Sequence, residues 1–196
     1  MPVTYTDRKG RTYYLCQGVT RGGKLRYYLA RQPRGEPMDE IPEGYEIGET
    51  VNAQAFVAKK RPVQIQPQEK AVVETAIGRH PKSRNYRVDV KGKRIIVYER
   101  VGPDVEDLAP MFRRIGGVSL RQVDSLRELF DQGARYTPVL RFTLSSEETR
   151  AFFAERWCYL GSIDDWIQIS AAASLRQLAQ RLIPRLGTDA FFEVDW

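Results

Sequence analysis

The stretch from Val3 to Gln32, VTYTDRKGRTYYLCQGVTRGGKLRYYLARQ, limits what this chain can fold into more than any other. Two turn signals divide it. In Asp7-Arg8-Lys9-Gly10, Asp favours the start of a turn and Gly supplies the positive φ that closes one. In Arg21-Gly22-Gly23-Lys24, Gly-Gly between strand-like runs is a two-residue hairpin signature. Around the turns lie Thr12, Tyr13, Tyr14, Leu15 and Val19, then Leu25, Tyr27, Tyr28 and Leu29, residue types that favour strands. The segment is predicted to be a strand–turn–strand–turn–strand meander.

A two-residue turn sets a register in which Val19 faces Arg26, Gln17 faces Tyr28 and Cys16 faces Leu29. Side chains alternate between the faces of a strand, so two surfaces follow. Tyr14, Cys16, Leu25, Tyr27 and Leu29 form a core face. Arg11, Tyr13, Leu15, Val19, Arg21, Lys24, Arg26 and Tyr28 form the other. Cations there neutralise phosphates and tyrosines stack on bases, which makes Arg11, Tyr13, Arg21, Lys24, Arg26 and Tyr28 candidate nucleic-acid-binding residues. The same pattern is also that of a solvated face, because Arg and Lys blunt exposed sheets. An odd-length loop would mix the two sets.

Charge is distributed unevenly. Residues 1–100 carry 20 Lys/Arg against 11 Asp/Glu, whereas residues 101–196 carry 11 Arg against 14 acids. A positive field over one part of a surface steers polyanions. Directly after the meander comes an acidic stretch, Glu36 to Glu49, able to lie over the basic face and neutralise it. Cys16 and Cys158 read as small buried hydrophobes. With the single His80 they do not complete a zinc site, and neither a cofactor nor a metal is expected. No apolar run is long enough to span a membrane, and the start of the chain has no signal-peptide pattern. A reducing, cytoplasmic location is the expectation.

The rest of the chain reads as α+β. Two short strands are expected around Asn52, and a helix from Pro67 with Val72, Val73, Ala76 and Ile77 on one face and Gly78 capping it. A second hairpin follows, Tyr86–Val90 returning as Ile95–Tyr98 around Lys91-Gly92-Lys93. Helical segments are expected after Asp104 and over Leu120–Phe130. Val139–Leu144 reads as a strand behind Pro138. Ser145 with Glu148 has the capping-box spacing, so a helix is predicted through Phe152, Phe153 and Trp157. Strands are expected around Cys158 and Trp166, a final helix capped by Ser174, and a terminal strand with Phe191, Phe192, Val194 and Trp196. The expected organisation is a small antiparallel β module over 1–62, carrying the basic hairpin, and an α+β domain over 67–196.

Catalytic motifs are scarce. Asp164-Asp165 at a strand end could hold Mg²⁺, but neighbours in a strand point to opposite faces, and Asp-Asp is common turn chemistry. Asp89 and Glu99 on paired strands suggest a metal-dependent nuclease, yet Glu99 is followed by Arg100 and Val101 and the expected lysine is absent. There is no phosphate loop and no nucleophile elbow. His80, before Pro81, has no identifiable partner for base catalysis.

The wording YTDRKGRTYYL and GGKLRYYLARQ, then IPEGYEI, CYLGSIDDW and RLGTDAFFEV, resembles a family of bacterial hypothetical proteins with no assigned activity. The resemblance implies a shared architecture and nothing about mechanism. Three functions stay open on the sequence. One is a non-enzymatic protein contacting nucleic acid through the hairpin. Another is an adaptor using the same cations, or its aromatic C-terminal part, on an acidic protein partner. The third is an enzyme with carboxylate chemistry at Asp164 and Asp165.

Overall fold

A computed structural model describes residues 1–33, 35–102, 130–131, 133–159 and 164–193. The chain divides into two compact units, Met1–Arg61 and Pro62–Trp196. Their sheets are antiparallel and the class is α+β. The helices expected after Asp104 and over Leu120–Phe130 lie almost wholly outside the described residues, as do Val194 and Trp196.

In the first unit, β1 (Thr4–Thr6), β2 (Thr12–Val19) and β3 (Leu25–Ala30) form the meander. β4 (Glu36–Pro37) shares the β1 edge of β2, and Val3 and Met38 together bracket Leu15 there. The first turn is built as its residues dictate. Gly10 has φ +73°, and Asp7 Oδ1 accepts from the backbone N–H groups of Lys9 and Arg11 at 2.9 Å each.

The second turn differs from expectation. Gly23 N–H donates to Thr20 C=O, Thr20 N–H donates to Lys24 C=O, and Gly23 takes φ +74°. The loop is therefore three residues, Arg21-Gly22-Gly23, a tight turn closed by a left-handed glycine. Val19 faces Leu25, Gln17 faces Tyr27 and Leu15 faces Leu29. Because the side-chain period is two, this one-residue slip exchanges the faces of β3 relative to β2. Tyr13, Leu15, Gln17, Val19, Leu25, Tyr27 and Leu29 now share one face. Tyr14, Cys16, Gly18, Arg26, Tyr28 and Ala30 share the other.

A second hairpin, β5 (Tyr45–Glu49) and β6 (Ala55–Lys59), packs against the first of these faces. Tyr27 and Tyr45 meet edge to face at 4.8 Å, Arg11 donates to Ala53 C=O, and Leu15 is fully buried. Burying a side chain of that size stabilises by about 1.5–3 kcal/mol.

The second unit centres on an antiparallel sheet ordered β11-β10-β9-β8-β7. Its strands are β7 (Tyr86–Lys91), β8 (Arg94–Val101), β9 (Arg135–Ser146), β10 (Ala151–Tyr159) and β11 (Asp164–Gln168), with β12 (Ala173–Ser174) beside β10. Period-two alternation puts Ile95, Val97, Leu140, Phe142, Phe152 and Ala154 on one face, each fully buried. Helices α1 (Pro67–Gly78) and α2 (Leu175–Leu182) cover it with Val73, Ile77, Leu178 and Leu182. Ser174 Oγ caps α2 as expected, and Pro184 falls in the 3₁₀ turn that ends it.

Four local expectations are corrected. Residues 151–157 belong to a strand, not a helix, continuous with the strand expected at Cys158: Phe152 and Ala154 point inward while Phe153 and Glu155 point outward, a period of two. The supposed capping box is the hairpin turn before it, where Ser146 Oγ accepts from Thr149 N–H and Arg150 takes φ +50°. β9 runs through Pro138, and the register shifts between Val97 and Tyr98 where it pairs β8. That bulge, together with the end of β10 pairing at Leu140, leaves proline's missing N–H without cost. α1 includes Gly78 and is capped by right-handed Arg79. Finally, Asp189–Phe191 is a 3₁₀ turn, held where Arg156 donates to the carbonyls of Phe191 and Phe192.

Candidate nucleic-acid interface

The hairpin β2–β3 does not present its six candidate residues as one surface. Arg11 and Tyr13 are committed inside the first unit. Arg11 Nε lies 2.6 Å from Asp7 Oδ2, and Tyr13 OH donates to the same oxygen at 3.3 Å. Burial pushes the Asp7 carboxyl up, but hydrogen bonds from the backbone and side chain of Arg11 and the backbone of Lys9 outweigh it and hold the group below its ordinary range. Arg8 is similarly taken: it pairs with Glu49 at 2.5 Å and donates to Thr50 C=O.

Arg21, Lys24, Arg26 and Tyr28 are placed differently. Arg21 and Lys24 stand at the turn, and all three cations are exposed. Among the described residues none of the three has a carboxylate within ion-pair distance. Arg26 and Tyr28 share the face away from β5–β6, with the guanidinium carbon 5.0 Å above the ring centroid. Tyr28 is half-buried and lies across Gly18, where an added Cβ would come within 3.2 Å of the ring. Among the described residues no acid of the stretch 36–49 lies within ion-pair distance of these three cations. Glu49 answers Arg8 and Tyr5, Glu36 accepts from Gln17 on the other face, and Asp39 pairs with the N-terminal amine.

The face of the second unit's sheet away from α1 and α2 also carries cations among aromatics, a feature the sequence reading missed. Arg87 lies 5.1 Å over Tyr136, Lys91 5.8 Å over Tyr98 and Arg141 4.3 Å over Trp166. Trp157 and Trp166, paired across β10 and β11, meet edge to face at 5.2 Å. Carboxylates answer two of these three cations, and Arg87 donates to the carbonyls of Arg84 and Tyr86. Arg141 grips both oxygens of Glu155 through Nε and Nη2, and Thr143 Oγ1 donates to Glu155 Oε2 at 2.7 Å. Lys91 pairs with Asp89. The signal was the arginine–glutamate register across β9 and β10, hidden by the helical reading of 151–157.

The other candidates lose their chemical setting. His80 is buried: Nδ1 accepts from Lys82 N–H at 3.1 Å, so Nε2 carries the proton and donates to Leu186 C=O at 3.2 Å. Both nitrogens hold loops together, and Tyr86 packs edge-on at 5.0 Å. Asp164 and Asp165 are both exposed and, as neighbours in β11, point to opposite faces. Asp89 and Glu99 also lie on opposite faces, since Asp89 faces Ile96 while Glu99 faces Tyr86 and accepts from its hydroxyl at 2.9 Å. Among the described residues no three His, Cys, Asp or Glu side chains are grouped as a metal site would need, and no helix is long and apolar enough to cross a membrane.

No family model, curated protein or solved structure matches this chain.

Proposed function

We propose that this is a non-enzymatic binding protein that contacts nucleic acid through the tip and outer face of the β2–β3 hairpin. One observation carries the reading: among the described residues Arg21, Lys24 and Arg26 are exposed without a carboxylate partner, whereas Arg8 and Arg11 are paired with Glu49 and Asp7. Cations in that state exchange counterions for phosphates at little structural cost. The contact surface is Arg21, Lys24, Arg26 and Tyr28, with Arg11 and Tyr13 supporting the hairpin through Asp7. Recognition on this reading is electrostatic and weakly sequence-specific. The free thiols of Cys16 and Cys158 fit a cytoplasmic setting.

A second reading is favoured by the aromatic ladder Trp157, Trp166 and Tyr159, whose outermost member is 70% exposed. Exposed aromatics of this kind anchor protein partners, and the same hairpin cations would then meet an acidic protein surface.

Fluorescence anisotropy with labelled DNA and RNA across a salt series decides between them. Three phosphate contacts on a single strand give a slope of log K against log salt of about −2. The charge reversal Arg21→Glu/Lys24→Glu/Arg26→Glu removes binding on the first reading. Absence of saturable binding at low salt, or binding indifferent to the reversal, overturns it and leaves the protein-partner reading.

A further inference from the structure

We infer that the nucleic acid this surface takes is a single strand, with one unpaired base stacked on the exposed plane of Arg26 and Tyr28 backing that plane. The inference rests on the nucleic-acid reading above and specifies its ligand. Its basis is the way the hairpin fixes the pair. Gly18 stands directly opposite Arg26 in the register, so no side chain competes for the space over the strand. Tyr28, diagonal to Gly18, uses that space and lies across the glycine. Its hydroxyl reaches Gly35, where an added Cβ would come within 2.7 Å of it and where φ is +99°, a conformation that L side chains rarely adopt. Two glycines thus make room for one ring, and the ring sets the guanidinium 5.0 Å above itself.

The orientation selects the ligand. To read a duplex, an arginine extends its donor edge into the major groove and forks onto guanine. Arg26 is instead held 5.0 Å from an aromatic centroid with its side chain exposed, an arrangement that suits stacking better than a donor edge reaching into a groove. Unstacked bases stack on guanidinium planes and aromatic rings, and such stacking is sequence-tolerant because every base has a π-face. Lys24, two residues along the same face and about 7 Å away, and Arg21 at the apex are left for the flanking phosphates.

The test compares a short oligothymidylate, an abasic strand with the same number of phosphates, and a duplex, each by anisotropy with the whole chain. The base-bearing strand is expected to bind about tenfold more tightly than the abasic one, and more tightly than the duplex at matched salt. Arg26→Lys keeps the charge but removes the plane, so it brings the ratio of the two single-strand affinities toward one. Gly18→Ala displaces the ring without touching any charge and lowers the same ratio; Arg26→Lys stands alone as the test if Gly18→Ala proves unfolded by circular dichroism. Equal binding of base-bearing and abasic strands, or an unchanged ratio in Arg26→Lys, overturns the stacking inference and leaves electrostatic binding intact. Preference for the duplex also overturns it. No binding to any of the three removes the nucleic-acid reading itself, and this inference with it.

Discussion

Arg141 in the second unit and Arg26 in the first both stand over aromatic rings, yet only Arg26 is exposed without a carboxylate partner among the described residues. In the second, Arg141 lies over Trp166 and is also clamped by Glu155. Arg100 pairs with Asp131 and its side chain is only 5% exposed. In the first, Arg26 lies over Tyr28, is exposed, and among the described residues has no carboxylate within ion-pair distance. The cation–π contact is common to both and so does not mark a binding surface. What separates them is desolvation. A cation drawn out of water is costly unless paired, whereas one left in water needs no partner and stays free for a ligand.

Breaking the clamp gives the largest expected effect. Glu155→Ala leaves Arg141 desolvated and unpaired, and the expected destabilisation is about 3 kcal/mol or more. Urea unfolding followed by tryptophan fluorescence reports it cleanly, because Trp157, Trp166 and Trp196 all belong to the second unit. Replacing both Arg141 and Glu155 by Met should recover most of the loss, since well-packed apolar pairs often replace buried ion pairs at little cost. A loss below about 1 kcal/mol, the range of solvent-exposed pairs, would erase the contrast with the hairpin.

Acid sharpens the same contrast by a smaller amount. Burial pushes the Glu155 carboxyl up, but hydrogen bonds from Arg141 and Thr143, and the charges of Arg141 and Arg94, hold it below its ordinary value of 4.5. A depressed folded value contributes stability that is complete above the unfolded value and is lost as pH falls through the folded one. The parent's urea midpoint should therefore drop as pH falls below 4.5, and the tryptophan-detected drop should be shallower in Glu155→Gln. Identical acid profiles for the two proteins would show that Glu155 is not held in this way.

How much of this contrast was legible in the sequence depended on what fixed each element. Local chemistry was readable: the Asp7–Gly10 turn, the Pro67 start of α1, the Ser174 cap of α2 and the Lys91-Gly92 hairpin all follow from residues within one or two turns of chain. Register was not. Gly22-Gly23 is compatible with loops of two or three residues, and only packing of Leu15 and Tyr27 against β5–β6 selects the longer one. The run from Ala151 to Tyr159 was ambiguous for a similar reason: Phe152, Phe153 and Trp157 match a helical stripe, and only pairing with β9 reveals period two. The candidate site was legible as a set of residue types. Its division into supporting Arg11 and Tyr13 and exposed Arg21, Lys24, Arg26 and Tyr28 depended on that hidden register.

The turn that sets the register allows a test of intermediate size. Gly23 has φ +74° and no atom within 4 Å of where a Cβ would stand, so Gly23→Ala is opposed by backbone strain alone. The expected cost is about 1–2 kcal/mol. Gly22 has equal space and an ordinary φ, so Gly22→Ala should be neutral or stabilise by about 0.4–1 kcal/mol through the unfolded chain. Far-UV circular dichroism melts compare them. Equal behaviour of the two variants would mean that the loop is not the three-residue turn.

The smallest expected effect on stability belongs to the hairpin cations, and its smallness is informative. Arg21→Ala, Lys24→Ala and Arg26→Ala each remove an exposed side chain that has no carboxylate partner among the described residues, so each should change the unfolding free energy by no more than about 0.5 kcal/mol. Arg11→Ala is the internal control. It strands buried Asp7, which also accepts from Tyr13, and should destabilise visibly more than any of the three. Residues kept for the fold lose stability when removed, whereas residues kept for a ligand lose only binding. If Arg26→Ala costs as much as Arg11→Ala, Arg26 is bracing Tyr28 for the hairpin's own sake, and the outer face is a second clamp rather than an interface.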